Sequence, residues 1–128
     1  MYPDDLKYHK EHTWIRVSGK KGIIGITHYA QQSLGDIVYL DVPEVDTNIE
    51  ANTEFSEVES TKATSSIIAP ASGTIIEVNE DLGDTPEIIN EDPYGKGWIA
   101  VIELSNEGEL ANLLDASDYE KLVAEESK

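Results

Sequence analysis

Short apolar runs broken by Gly, Pro and Asp fill most of the chain and predict strands. Trp14-Ile15-Arg16-Val17, Gly22-Ile23-Ile24-Gly25-Ile26 and Ile37-Val38-Tyr39-Leu40 are the first three. Between the second and third, Thr27 is placed to cap a brief helix through Ala30 and Leu34, with Gly35 as its stop. Glu54 to Ser60 and Ser66 to Ala69 are extended stretches on either side of Lys62. Gly73-Thr74-Ile75-Ile76-Glu77-Val78 and Trp98-Ile99-Ala100-Val101-Ile102-Glu103-Leu104 supply the last strands. Beyond them the period changes. Leu110, Leu113 and Leu114, then Tyr119, Leu122 and Val123, repeat at helical spacing, with Ser117 a cap between the two groups. This predicts two short helices, or one broken helix, packed on the sheet by that face, with Glu125 to Lys128 frayed.

The 128 residues suit one domain over 1–128, with a core over about 12–104 and a C-terminal helical segment over about 106–125. A faint internal echo runs through the core. Gly22-Ile23-Ile24 is followed by Leu34-Gly35-Asp36, and Gly73-Thr74-Ile75 by Leu82-Gly83-Asp84, with Lys62 between the two copies. That arrangement suits two similar β halves meeting at a hairpin.

Charge narrows the function. A net charge of −17 opposes binding to nucleic acid or an anionic membrane and favours proteins with basic docking surfaces. No apolar run approaches the length of a membrane span. With no cysteine, the chain lacks a thiol nucleophile, a disulfide and a zinc-thiolate site, so any redox chemistry must be added to it. Met1-Tyr2-Pro3-Asp4-Asp5 lacks the cationic and apolar blocks of a signal peptide and the Arg-rich character of a transit peptide. A soluble intracellular protein is expected, in the bacterial cytoplasm, or in the mitochondrial matrix if the chain is a processed eukaryotic one. So charged a surface favours a monomer.

Among candidate reactive groups, His9, His12 and His28 show no helical metal-ligand pattern with a paired carboxylate, and read as surface or structural residues. No phosphate loop or nucleophile elbow is present. The abundant carboxylates read as a solvated face. Lys62 is different. It is the only Lys or Arg between Gly22 and Gly95, among fifteen Asp and Glu. Its neighbours Ser60, Thr61, Ala63, Thr64 and Ser65 are small, which leaves the amine unobstructed. A Schiff-base nucleophile needs a depressed pKa, which acidic surroundings do not provide. An exposed surface lysine and a lysine displayed for modification by another enzyme both remain open from composition. No Asn-Gly or Asp-Gly marks a tight hairpin here.

Read together, the motifs resemble a known family. Leu6-Lys7-Tyr8 with His12-Thr13-Trp14, Gly25-Ile26-Thr27 continuing to Ala30-Gln31, and Leu34-Gly35-Asp36-Ile37-Val38 carry the first part of the likeness. Leu40-Asp41-Val42-Pro43-Glu44-Val45, Glu59-Ser60-Thr61-Lys62-Ala63 and Ala69-Pro70-Ala71-Ser72-Gly73 continue it. Glu77-Val78-Asn79, Asn90-Glu91-Asp92-Pro93-Tyr94 and Gly97-Trp98-Ile99 complete it. In this order and spacing the chain resembles the glycine cleavage system H proteins over nearly its whole length. The resemblance implies a mainly β barrel-sandwich hybrid, like lipoyl and biotinyl domains, with a short internal helix and C-terminal helices. Lys62 would stand at a hairpin tip within the lipoylation motif Glu59, Ser60, Thr61 and Ala63, with lipoate covalently attached to it. It further implies a non-catalytic carrier. Its partners would be glycine decarboxylase (P protein), aminomethyltransferase (T protein), dihydrolipoyl dehydrogenase (L protein), and a lipoate ligase or lipoyl transferase.

The chain departs from the family pattern at three places. Thr13 stands where Glu is usual, Ser66 where an acid is common, and Ser33 where some members have His. Glu11 or Glu57 is the candidate to supply the missing negative charge beside the loaded arm. Two readings keep the fold and change the role: a lipoate storage or relay carrier, and a biotin carrier. The biotin reading is opposed by Thr61 and Ala63, since biotin sites typically flank the lysine with Met. An enzyme with an acidic active site, or a plain acidic binding module, would belong to another class.

Overall fold

The structure is a computed structural model that describes residues 2–126. Among the described residues nine strands form two antiparallel sheets. The larger sheet has the order β1-β2-β3-β9-β8-β5. Its strands are β1 (Lys7–Tyr8), β2 (Thr13–Ser18), β3 (Lys21–Ile26), β9 (Ala100–Leu104), β8 (Gly73–Val78) and β5 (Asn48–Ile49). The smaller sheet has the order β4-β6-β7, from β4 (Ile37–Leu40), β6 (Glu54–Ser60) and β7 (Thr64–Ile68). Helix α1 (His28–Leu34) links β3 to β4. Short turns α2 (Asp81–Asp84) and α3 (Ile88–Glu91) follow β8, and a 3-10 helix (Glu107–Asn112) precedes α4 (Ala116–Glu126). Two small sheets closing over a shared core, with the chain crossing between them, make this the barrel-sandwich hybrid expected. Among the described residues no helix is long and apolar enough to cross a membrane.

The main core lies between the sheets. Ile15, Ile24, Ile75, Ile99 and Ile102 are fully buried there beside Leu40, Val58 and Ile67 of the smaller sheet. Alternation decides which residues enter it, because successive strand side chains point to opposite faces. On β6, Ser56 and Val58 are buried, Glu57 is half-buried and Glu59 is exposed. A second cluster, of Tyr2, Leu6, Tyr8, Trp14, Ala116 and Tyr119, seats α4 against β1 and β2. Gly25 lies opposite Trp14 in the β2–β3 ladder. A methyl group there would meet the indole at 2.6 Å, so glycine is what lets the ring lie flat across β3. The indole N–H then donates to the carbonyls of Ile26 and Pro93, each at 3.0 Å.

Three expectations change. The cap of α4 is Asp115, whose carboxylate accepts from Asp118 N–H at 2.8 Å; Ser117 already lies inside the helix. A carboxylate also suits the positive end of a helix dipole. Glu125 and Glu126 are helical, and Glu126 is held by His12, while residues 127–128 lie outside the described residues. The two terminal segments also divide their packing: Leu110 and Leu113 join the main core, and Leu114, Leu122 and Val123 join the second cluster. The internal echo falls on β3–α1 and β8–α2, and β3 and β8 flank β9 on its two sides. Its helix ends are not equivalent, since Gly35 caps α1 whereas Gly83 lies within α2.

Candidate functional site

Lys62 stands in the turn between β6 and β7, exposed to solvent. Strand pairing runs up to Glu59 opposite Thr64. Ser60 N–H then donates to the Ala63 carbonyl at 2.8 Å. The Ser60 hydroxyl organises the rest: it accepts from Lys62 N–H at 3.3 Å and from Ala63 N–H at 3.1 Å, and donates to the Ala63 carbonyl at 3.2 Å. A serine side chain thus stands in for a backbone acceptor. No residue from 60 to 63 adopts a positive φ, which explains why no Asn-Gly or Asp-Gly is needed. Thr61 and Ala63 are exposed beside the lysine.

Beneath the turn lies the end of α1. Thr27 caps the helix start by accepting from Ala30 N–H at 3.2 Å. Gly35 ends it with φ 86 and ψ −153, a region open only to glycine, while its N–H bonds the Gln31 carbonyl. A methyl group on Gly35 would stand 3.4 Å from Lys62 Cε and 4.0 Å from both Cδ and Nζ, so the lysine stem lies over a bare stretch of backbone. The Asp36 carbonyl accepts from Thr61 N–H at 3.1 Å and fastens the turn to this support. Among the described residues no carboxylate pairs with Lys62.

Sequence reasoning gave Gly35 only as a helix stop and assigned no role to Asn90. The structure makes Asn90 the hub of the support. Its Oδ1 accepts from Ile37 N–H at 2.8 Å, and its Nδ2 donates to Gln31 Oε1 at 2.8 Å and the Gly35 carbonyl at 2.9 Å. An Asn between Ile89 and Glu91 gives no local signal of contacts so distant along the chain. The other end of α1 is tied down by a chain of polar contacts. Thr27 Oγ1 meets the Tyr119 hydroxyl at 2.7 Å, that hydroxyl meets His12 Nδ1 at 2.7 Å, and His12 Nε2 meets Glu126 Oε1 at 3.0 Å. His12 holds this place with φ 72.

The remaining histidines are structural. His9 is buried, with Nε2 against Asn52 Oδ1 at 2.6 Å and Nδ1 accepting from Glu11 N–H at 3.0 Å; that second bond leaves the Nε2–H tautomer to donate to Asn52. His28 Nδ1 contacts Gln31 Nε2 at 2.9 Å. Thr13 is buried and spends its hydroxyl on the Ile68 carbonyl at 2.9 Å. Ser33 is exposed on α1. Ser66 is exposed directly opposite the half-buried Glu57 in the β6–β7 ladder. Glu11 is exposed in the turn before β2. Among the described residues no three His, Asp or Glu side chains converge as a metal site. The clefts lined by His9, Asn52 and Leu114, and by Asn48, Ser72 and Asn106, include no residue of 59–63.

The turn thus displays one exposed amine, and comparison with known proteins gives the chain's family. The family model described as "Glycine cleavage H-protein" matches residues 6–126. The chain belongs to this family. A glycine cleavage system H protein of Carboxydothermus hydrogenoformans is 55 % identical over 128 residues, covering 100 % of this chain and 98 % of its own. That of Bacillus subtilis is 49 % identical over 124 residues, covering 97 % and 98 %. The crystal structure of a glycine cleavage system H protein from Mycobacterium marinum superposes with a TM-score of 0.86 at 40 % identity, covering 94 % of this chain and 97 % of that one.

Proposed function

We propose that this chain is the lipoyl-bearing carrier of a glycine cleavage system. In this reading it moves the aminomethyl group of glycine from glycine decarboxylase to aminomethyltransferase, and is then presented to dihydrolipoyl dehydrogenase for reoxidation. Lys62 would hold lipoate through an amide on Nζ. The observation that carries the reading is the exposure of that amine, without an ion pair, on a turn whose neighbours are small. Bound there, lipoate supplies the dithiol–disulfide pair that a chain without cysteine cannot provide.

The residues of the site fit this group. Ser60 fixes the turn, so an acylating enzyme meets one backbone shape. Gly35 offers no side chain to obstruct the lysine stem. Acylation turns a cation into a neutral amide and lowers the cost of entering partner clefts. Glu57, opposite Ser66, is the carboxylate we assign to offset the acid missing at that position, in preference to Glu11. The strongly negative body suits fast, salt-sensitive encounters with several enzymes in turn.

Reconstitution with glycine decarboxylase, aminomethyltransferase and dihydrolipoyl dehydrogenase tests the reading. After treatment with a lipoate ligase, the wild-type chain supports glycine-dependent NADH formation and Lys62→Arg supports none, although both melt alike. Equal activity of the two proteins would end the proposal.

A further inference from the structure

Beside Lys62 the smaller sheet carries a surface that the carrier role does not by itself require. Among the described residues only Val38, Tyr39 and Val45 are exposed large hydrophobics, at 52 %, 51 % and 46 %. Val45 lies in the crossover to β5. Val38 and Tyr39 lie on β4, the edge strand next to β6. The β4–β6 ladder pairs Ile37 with Ser60 and Tyr39 with Glu59, so Val38 is an extra, bulged residue. Tyr39 therefore sits across from Glu59, in the lipoylation motif itself. The same bulge breaks the regular edge and disfavours addition of a further strand.

This apolar pair has an acidic border. Asp36 and Asp41 are exposed at the two ends of β4, Glu59 is exposed opposite Tyr39, and Glu57 follows on the same face of β6. Lys62 is the only Lys or Arg between Gly22 and Gly95. An apolar centre with an anionic rim is complementary to an apolar patch ringed by Lys and Arg.

Reach selects which partner must use it. An enzyme acting on the lipoyl group works at the end of a long arm, and the protein body can stay clear of its cleft. An enzyme that acylates the bare amine has only one lysine stem of reach, so it must close over the turn and the strands beside it. Resting on the carrier reading above, we propose that Val38 and Tyr39, bordered by Asp36, Glu57 and Glu59, form the docking surface for the enzyme that acylates Lys62. That enzyme presents an apolar patch ringed by cationic side chains.

The test compares the wild-type chain with the double variant Val38→Ser/Tyr39→Ala as substrates of a lipoate ligase supplied with lipoyl-adenylate, following product by mass. The double variant loses about tenfold in kcat/KM, the size expected when a central aromatic anchor is truncated. The loss lies chiefly in KM. Tyr39→Phe, which keeps the ring, recovers most of it, and acylation of Lys62 by a small activated ester is unchanged in every variant. Val38→Thr, nearly isosteric, shows a smaller loss in the same direction and serves if the double variant melts early. Unchanged kcat/KM in the double variant, with the wild type modified normally, overturns this proposal and leaves the carrier reading intact. A wild-type chain that the ligase cannot modify overturns the carrier reading instead. Two other outcomes reassign the surface and also overturn the proposal. One is a double variant that ligates normally but, once lipoylated, fails with glycine decarboxylase. The other is a wild-type dimer that the substitutions dissociate.

Discussion

Replacing Gly35 probes the support under Lys62 at its most constrained point. At φ 86 and ψ −153 the residue occupies a region where a side chain collides with its own backbone, a strain of roughly 1–3 kcal/mol for alanine. Alanine also restricts the unfolded chain, which offsets about 0.4–1 kcal/mol. The added methyl meets Lys62 Cε at 3.4 Å, an ordinary contact with a flexible stem, and adds little. The net loss is about 1–2 kcal/mol, which corresponds to a fall of roughly 3–10 °C in melting temperature for a chain of this size. In urea the midpoint should drop by about 0.5–1 M at unchanged slope. Asparagine sharpens the test. It relieves strain at left-handed helical caps, where ψ is positive, but not at this ψ, so Gly35→Asn should be no more stable than Gly35→Ala. Tryptophan fluorescence across a urea series measures both. An alanine variant as stable as the parent, or an asparagine variant that recovers its stability, would refute the backbone geometry assigned to the cap.

Other expectations follow from the contacts around α1 and α4. Asn90→Ala removes three hydrogen bonds and strands Ile37 N–H and the Gly35 carbonyl, costing about 1–3 kcal/mol by urea denaturation and loosening amide protection at Gly35–Ile37. Tyr119→Phe deletes the hydroxyl between His12 and Thr27 and should cost about 1–3 kcal/mol, with faster hydrogen exchange in α4. Alkali should destabilise the fold. Burial raises the pKa values of Tyr8 and Tyr119 and pushes Tyr94 up to about 12, from an ordinary 10.0. Above pH 10 the unfolded chain therefore sheds protons that the folded chain keeps, and stability complete below pH 10 is lost as pH rises through 12. Each such tyrosine adds up to about 1.4 kcal/mol per pH unit to the slope. Tyrosinate absorbance followed with unfolding checks it: ionisation of these three rings well before unfolding contradicts the burial.

Much of the fold was legible where local and tertiary demands agree. β4 and β8 fall where their apolar runs lie, and Thr27 and Gly35 bound α1 because capping chemistry is local. The two-residue strands β1 and β5 and the four-residue turns α2 and α3 were not legible, being too short to show a period. Ser117 lost the cap to Asp115 because both are capping residues two positions apart, and tertiary packing of Tyr119 chose the register. At the site, Lys62 was visible through its isolation in charge. Its support was not, since Gly35 and Asp36 meet the turn, and Asn90 meets Gly35, only through contacts distant along the chain. The Ser60 hydroxyl, which shapes the turn without a primed-turn sequence, was visible only as a small neighbour.

The most direct test of the central claim is to express the chain in a host that synthesises lipoate, measure its intact mass and sequence the modified peptide. One added lipoyl group is expected, located on Lys62 and absent from Lys62→Arg. A bare Lys62 in a host that lipoylates its own carrier domains, or a lipoyl group on another lysine, would contradict it.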